Sequence, residues 1–336
     1  MKGGTPKVTE PKKPKTATDP DVFEKRKNRF RILVCIDGSE ESYRALRYAS
    51  LMGRGDDCDI VLVYVRPIDQ GLHSGGLQVR VARQNLLDWG LELPGMKHLK
   101  KGLDILMEEG QLEDDWGTET THTDIAGDPL GDNKIEYFNE NGKSIVLKLK
   151  TASDPASGIL EQYHLGPYQL IIMGASGRSH YGFRSMIDRA VAEKVAVNAP
   201  CSVLVARDLK PGYGHLVCTD GSQRSFDTVR KDAEMIVRRF ENPMMSVLSV
   251  APDEESRADA EKAANTAADV IRETGIDVLE TIVKVGDPVE QIVETGQDYS
   301  LIVMSDSGTN RLKRLFLGSV SSKVLEKAKN SVLVIR

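Results

Sequence analysis

Val34-Cys-Ile-Asp-Gly-Ser-Glu-Glu-Ser42 returns 183 residues later as Val217-Cys-Thr-Asp-Gly-Ser-Gln-Arg-Ser225, with six of the nine positions identical. Each stretch is a short apolar run that stops at Asp-Gly-Ser, the pattern of a buried strand entering a tight turn. Further echoes follow in the same order. Asp154-Pro155 pairs with Asp287-Pro288, and Leu170-Ile-Ile-Met-Gly-Ala-Ser-Gly177 pairs with Leu301-Ile-Val-Met-Ser-Asp-Ser-Gly308. Ser202-Val-Leu-Val205 pairs with Ser331-Val-Leu-Val334. Ordered matches of this kind mark an internal duplication, so the fold is read as one unit used twice.

Spacing locates the difference between the copies. Asp37 and Asp154 are 117 residues apart, whereas Asp220 and Asp287 are 67 apart, which leaves 50 extra residues in the first copy. The insertion falls within 68–145. It contains a run with helix spacing, Met96 to Glu109, and an Asn139-Glu-Asn-Gly142 turn between expected short strands at 135–138 and 144–150, together read as an appended lobe. Residues 1–29, rich in Lys, Pro, Thr and Glu, have little apolar surface to offset the entropy of ordering and are expected to form a disordered tail. The expected organisation is therefore a tail at 1–29, a first domain at 30–208 and a second at 209–336.

In the second copy short apolar runs at 215–219, 245–250, 278–284, 300–304 and 331–335 alternate with helical runs such as 252–275. That alternation predicts an α/β fold: two tandem, doubly wound domains, each with a five-stranded parallel sheet and helices on both faces, Rossmann-like in plan. In such sheets ligands bind beyond the carboxyl ends of the strands, where strand order reverses. The last strand of each copy, 201–206 and 330–335, would be an open edge and is expected to be paired or protected.

Composition narrows the function classes. The 336 residues are 40% hydrophobic and 28% charged, with a net charge of −5 and a pI near 5.8. This is globular chemistry without the basic field that draws nucleic acid or an anionic membrane. No apolar run reaches membrane length and no secretory stretch opens the chain, so a cytoplasmic protein is expected. Cys35, Cys58, Cys201 and Cys218 are widely spaced and read as core thiols. The six histidines show no metal-ligand spacing.

Asp37 and Asp220 end the first strands, where a carboxylate can accept hydrogen bonds from a ribose or an adenine amine. The same Asp-Gly-Ser can equally serve only as a turn and helix cap. In the second copy Met304-Ser305-Asp306-Ser307-Gly308 is followed, after nine residues, by Gly318-Ser319 at the start of a helical run in which Val320, Val324, Leu325 and Ala328 share a face. A helix N-terminus there attracts an anion, and glycines without side chains let phosphate reach the backbone. A serine cap after a glycine turn is the competing reading.

These residues carry a family resemblance. The segment from Ser305 to Ser319 resembles the Gly-x2-Gly-x9-Gly-Ser loop of ATP-binding universal stress proteins. The likeness spans everything but the tail and insertion, so the chain is similar to tandem-domain members of that UspA-like family, with its adenine nucleotide alpha hydrolase-like fold. The resemblance implies nucleotide contacts at Asp220, Val250, Met304, Ser305, Gly308, Gly318, Ser319, Val320 and Ser321, with ATP, alone or with magnesium, as ligand. Ser305 departs from the motif by standing where its first glycine belongs. In the first copy the implied set is Asp37, Val65, Gly174 and Gly177. There Ile187-Asp188 replaces Gly-Ser, so a side chain crowds the backbone and a carboxylate repels phosphate. That site is expected to be degenerate.

The expected function is an ATP-binding stress or regulatory protein whose C-terminal domain holds the nucleotide. No side chain stands out as a catalytic base, so binding is favoured over catalysis. Two other readings stay open: a slow ATPase or nucleotidyl-transfer enzyme on the same fold, and a scaffold with both sites dead. By analogy with family edge strands, the domains are expected to form an intramolecular pseudo-dimer, with a homodimer of the whole chain as a further arrangement. Neither a nucleic acid nor a membrane is an expected partner.

Overall fold

A computed structural model describes residues 29–55, 57–68, 93, 95–113, 115–125, 128–164, 166, 168–175, 189–209, 212–241, 244–306 and 318–336. The N-terminal half contains β1 (Phe30–Cys35), α1 (Glu40–Met52), β2 (Cys58–Pro67), α2 (Met96–Glu108), β3 (Gly117–Ile125), β4 (Asp128–Phe138), β5 (Ser144–Ala152), α3 (Pro155–His164), β6 (Leu170–Gly174), α4 (Arg189–Asn198) and β7 (Ser202–Ala206). The C-terminal half contains β8 (His215–Thr219), α5 (Gln223–Met235), a 3-10 turn (Val237–Arg239), β9 (Met245–Ala251), α6 (Arg257–Glu273), β10 (Val278–Val285), α7 (Pro288–Gly296), β11 (Leu301–Ser305), α8 (Ser319–Lys327) and β12 (Ser331–Ile335).

The strands join into one twelve-stranded sheet, β10-β9-β8-β11-β12-β7-β6-β1-β2-β5-β4-β3. Each half contributes five parallel strands, and the order reverses beside β1 and beside β8. Alternate residues of each strand face opposite sides. Ile32 and Val34 meet the helix layer of α1, α2, α5 and α6, while Leu33 and Cys35 meet that of α3, α4, α7 and α8. All four cysteines are free and buried among these apolar layers.

The insertion differs from the expected lobe. Helix α2 is the crossover between β2 and β5, the place α6 takes between β9 and β10. It buries Leu99, Leu103 and Leu106 in the main core, and Gly102 brings it so close to β2 that a Cβ there would sit 2.9 Å from Leu62 Cδ1. The strand expected at 144–150 is β5, which runs parallel to β2 from Ile60–Ile145 to Pro67–Ala152 and so belongs to the central sheet. What is added is the antiparallel ribbon β3–β4, continuing the sheet past β5 and enclosing the strand expected at 135–138. The tail at 1–28 and residues 69–92 lie outside the described residues.

The two halves meet along β7 and β12, which pair antiparallel with Leu204 opposite Leu333. Each strand thereby covers the other's open edge, as expected of edges that cannot be left free. Beyond this pairing the ends exchange contacts. The Arg207 amide donates to Ser331 Oγ at 3.1 Å, and the Arg336 amide donates to Ser202 Oγ at 3.2 Å. Behind the sheet a buried chain also crosses the seam. Tyr48 Oη of α1 lies 2.7 Å from His215 Nε2 of β8, whose Nδ1 lies 2.9 Å from Asp232 Oδ2 of α5.

Candidate functional site

Both Asp-Gly-Ser turns have the same geometry. Gly38 and Gly221 take φ of +87° and +79°, a left-handed conformation that favours glycine. Ser39 and Ser222 then cap α1 and α5, accepting the amides of Ser42 and Ser225 at 3.2 Å. Asp220 Oδ1 accepts the amide and hydroxyl of Ser222 at 3.0 and 2.6 Å, and Asp37 Oδ1 does the same with Ser39 at 2.9 and 2.6 Å. The cap reading is therefore realised in both copies. It still leaves Asp220 beside a cavity. Burial pushes its carboxyl up, but the Ser222 hydroxyl and amide, with Ser225, outweigh burial and hold it below the usual carboxylate range. Asp220 is an anion at neutral pH.

In the C-terminal half a cavity of about 620 Å³ opens at the carboxyl ends of β8, β9 and β11. Asp220, Val250, Met304, Ser305, Val320 and Ser321, all expected from the sequence, line it together. Gly318 and Ser319 stand at the α8 N-terminus next to Val320, and Gly308 lies outside the described residues. Cys218, Thr219, Ser225, Leu248, Pro288 and Ile292 complete the lining and were not foreseen as site residues. The signal for Pro288 was present, since Asp287-Pro288 is one of the repeated landmarks. Asp287 caps α7 with Pro288 at its first turn, and that placement brings α7 to the cavity.

Among the described residues the α8 N-terminus has no side-chain cap, and its first turn holds no acidic residue. The helix field there favours an anion. Ser321 Oγ donates to the Ser305 carbonyl at 2.8 Å, fixing α8 to the end of β11.

The N-terminal half repeats the first part of this site. Cys35, Ile36, Asp37, Val63, Val65, Pro155 and Ile159 line a cavity of about 210 Å³. Asp37, Val65, Pro155 and Ile159 match Asp220, Val250, Pro288 and Ile292 by position. The narrowing has a local cause. A Cβ on Gly158 would sit 2.5 Å from Val65 Cγ1, so this glycine lets α3 close against Val65, whereas Gln291 holds the matching place on α7. Gly174 is not among the residues that line this cavity. A Cβ there would lie 2.6 Å from the backbone of Glu41 and Ser42, so its smallness admits the start of α1. Gly177, Ile187 and Asp188 lie outside the described residues.

Burial raises the Cys218 thiol to about 12 and pushes the Cys35 thiol up as well, with Asp37 adding to the effect at Cys35. Both thiols near the cavities are thus held protonated and are poor nucleophiles. Among the described residues no group of three or more His, Cys, Asp or Glu side chains is placed to hold a metal. None of the described helices is long and apolar enough to cross a membrane. A cavity of about 710 Å³ lies at the seam near Tyr48, His215 and Ser300. It sits at the amino ends of β8 and β11, away from the strand ends where a doubly wound sheet places its ligand.

Comparison with known proteins agrees with this architecture. The Universal stress protein family matches residues 28–207 and again 215–336. Universal stress protein MJ0531 of Methanocaldococcus jannaschii is 27% identical over 182 residues, covering 54% of this chain and 83% of its own. A universal stress protein structure from Archaeoglobus fulgidus has a TM-score of 0.54 at 17% identity, covering 91% of this chain and 96% of that one. A putative universal stress protein structure from Pseudomonas aeruginosa has a TM-score of 0.55 at 17% identity, covering 93% and 94%.

Proposed function

Because the chain belongs to the universal stress protein family, we propose that it is a nucleotide-binding regulatory protein whose C-terminal half holds ATP. The observation that carries this reading is the α8 N-terminus, among the described residues uncapped by a side chain and with no acidic residue in its first turn, at the rim of a cavity bounded by Asp220 and Val250. Val250, Met304 and Ile292 supply apolar walls for an adenine. Asp220 accepts from a ribose hydroxyl or the exocyclic amine. The α8 amides with Gly318, Ser319 and Ser321 receive the phosphates.

Ser305 in place of the motif's first glycine is compatible with this role. It is buried, and its carbonyl is the acceptor for Ser321, so the residue ties the loop's two ends together. Magnesium would arrive with the triphosphate, whose oxygens commonly supply its ligands. Asp220, occupied by Ser222 and held ionised with a depressed affinity for protons, suits ligand binding better than general-base hydrolysis. The halves, at 30–208 and 209–336, act as an intramolecular pseudo-dimer joined through β7 and β12. The N-terminal site, smaller and with Ile187-Asp188 in its motif, does not take a triphosphate.

Calorimetric titration of ATP with magnesium into the full chain, beside a Gly318→Ile/Ser319→Asp variant, tests this. One binding event in the parent that disappears in the variant is expected. Unchanged binding in the variant would move the site to the N-terminal half, and no binding in either would leave the scaffold reading.

A further inference from the structure

The site in the C-terminal half is braced by residues that reach across the seam; the arginine brace has a counterpart in the other half, where Arg336 Nη1 donates to the Ala199 carbonyl at 2.5 Å, while the Asp306 ion pair has none. Helix α8, nine residues long, is too short to be stable by itself. Its placement therefore rests on its buried face, Val324, Leu325 and Ala328, and on what holds its two ends. At the N-terminus Ser321 bonds the Ser305 carbonyl at 2.8 Å. At the other end the Ala328 carbonyl accepts Nη1 of Arg207 at 3.3 Å, from the N-terminal half, 7% exposed. A cation at a helix C-terminus satisfies an orphan carbonyl and complements the helix field.

The end of β11 has a second brace. Asp306 is 6% exposed, directly follows Ser305 and pairs with Arg224 of α5. Its other oxygen, Oδ2, lies 3.4 Å from Arg336 Nε, an ion pair without hydrogen-bond geometry. Arg336 is in turn fixed by the N-terminal half, where its Nη2 donates to the carbonyls of Ala196 and Val197 at the end of α4 at 2.6 and 3.0 Å. The N-terminal copy has Ala175 where Asp306 stands, so no such ion pair exists behind its own site.

Resting on the nucleotide reading above, we propose that the N-terminal half is a working part of the C-terminal nucleotide site. Arg207 positions α8 for the phosphates, and the Asp306–Arg336 pair positions Met304 and Ser305 for the nucleoside. Neither arginine touches the ligand; both act as positioning residues. This gives the N-terminal half a role that does not need it to bind ATP, and it makes nucleotide affinity sensitive to the seam.

The two braces have different signatures, which a purely structural role would not produce. Arg207→Met keeps the apolar stem but removes charge and donors. Titrations of ATP and of adenosine into the full chain, well below its melting temperature, should show ATP weakened about fivefold and adenosine within about twofold of the parent, with Arg207→Lys restoring ATP affinity. Asp306→Asn should weaken ATP and adenosine alike, because the nucleoside end of the cavity is what it holds. Equal losses of both ligands in Arg207→Met, no rescue by lysine, or unchanged affinities in folded Arg207→Met and Asp306→Asn would overturn the inference while leaving the nucleotide reading intact. A parent chain that binds no ATP would overturn the nucleotide reading itself and this inference with it.

Discussion

Single residues in this chain do more than one job, and the sequence motif shows only one of them. Gly174 fits a nucleotide-loop glycine by pattern, yet its Cβ position lies 2.6 Å from the backbone at Glu41 and Ser42. Gly174→Ala is therefore expected to push α1 off β6 and cost about 1–3 kcal/mol, read by urea denaturation. Asp154 was legible as a landmark because it repeats, but its chemistry needed coordinates. Its carboxylate accepts the amide of Ser157 at 3.1 Å and lies 3.2 Å from Lys194 Nζ. The Ser157 hydroxyl first, and then its amide and Lys194, hold the Asp154 carboxyl down at about 2 against the opposing effect of burial. A depressed carboxyl stabilises the fold above the unfolded value of about 4 and loses that contribution as pH falls toward 2. Water screens this half-exposed group, so the effect is modest. Asp154→Ala should lower the melting temperature at pH 7, and the gap to the parent should close between about pH 4 and pH 2.

At the scale of elements the five strands of the C-terminal half were readable almost to the residue, because each is a short apolar run between turn signals. The N-terminal half was harder for a physical reason. Pairing between β2 and β5 spans more than eighty residues of chain, and nothing local in Ser144–Ala152 says which neighbour it will find. The helical spacing of Leu99, Leu103 and Leu106 was visible, but an amphipathic helix looks the same on an appended lobe as on the central sheet. The structure makes a distinction that can be measured. Leu99 is fully buried in the main core, while Met107 on the same helix is 43% exposed. Leu99→Ala should cost about 2–5 kcal/mol in global unfolding free energy, whereas Met107→Ala should change it by no more than about 0.5 kcal/mol. Near-equal small effects would mean that α2 opens independently of the core.

For the whole molecule, duplication was evident from four ordered matches, and so was the general site, since strand ends at a reversal of order follow from the alternation of strand and helix. The seam was only partly legible. Edge strands announce that they need a partner, but Tyr48, His215 and Asp232 are separated by up to 184 residues and carry no shared motif. Tyr48 and His215 have no like residue in the other copy: Lys231 aligns with Tyr48, and Ile32 with His215. Tyr48, His215 and Asp232 are 2%, 3% and 0% exposed, so each polar atom in the chain depends on its neighbour and not on water. Burial, with Asp232 nearby, pushes the Tyr48 phenol well above its usual value. It stays protonated, and in the tautomer with Nδ1–H toward Asp232 it donates to His215 Nε2. Tyr48→Phe removes one hydroxyl and leaves a buried imidazole nitrogen without its donor, at a cost of about 1–3 kcal/mol. Because the sheet and both apolar layers run unbroken through the two halves, the parent should melt in one cooperative calorimetric transition, and Tyr48→Phe should move that whole transition down. A variant scan that splits into two transitions, with only the C-terminal part shifted, would show that the halves fold as separate units and that the buried chain joins domains already complete in themselves.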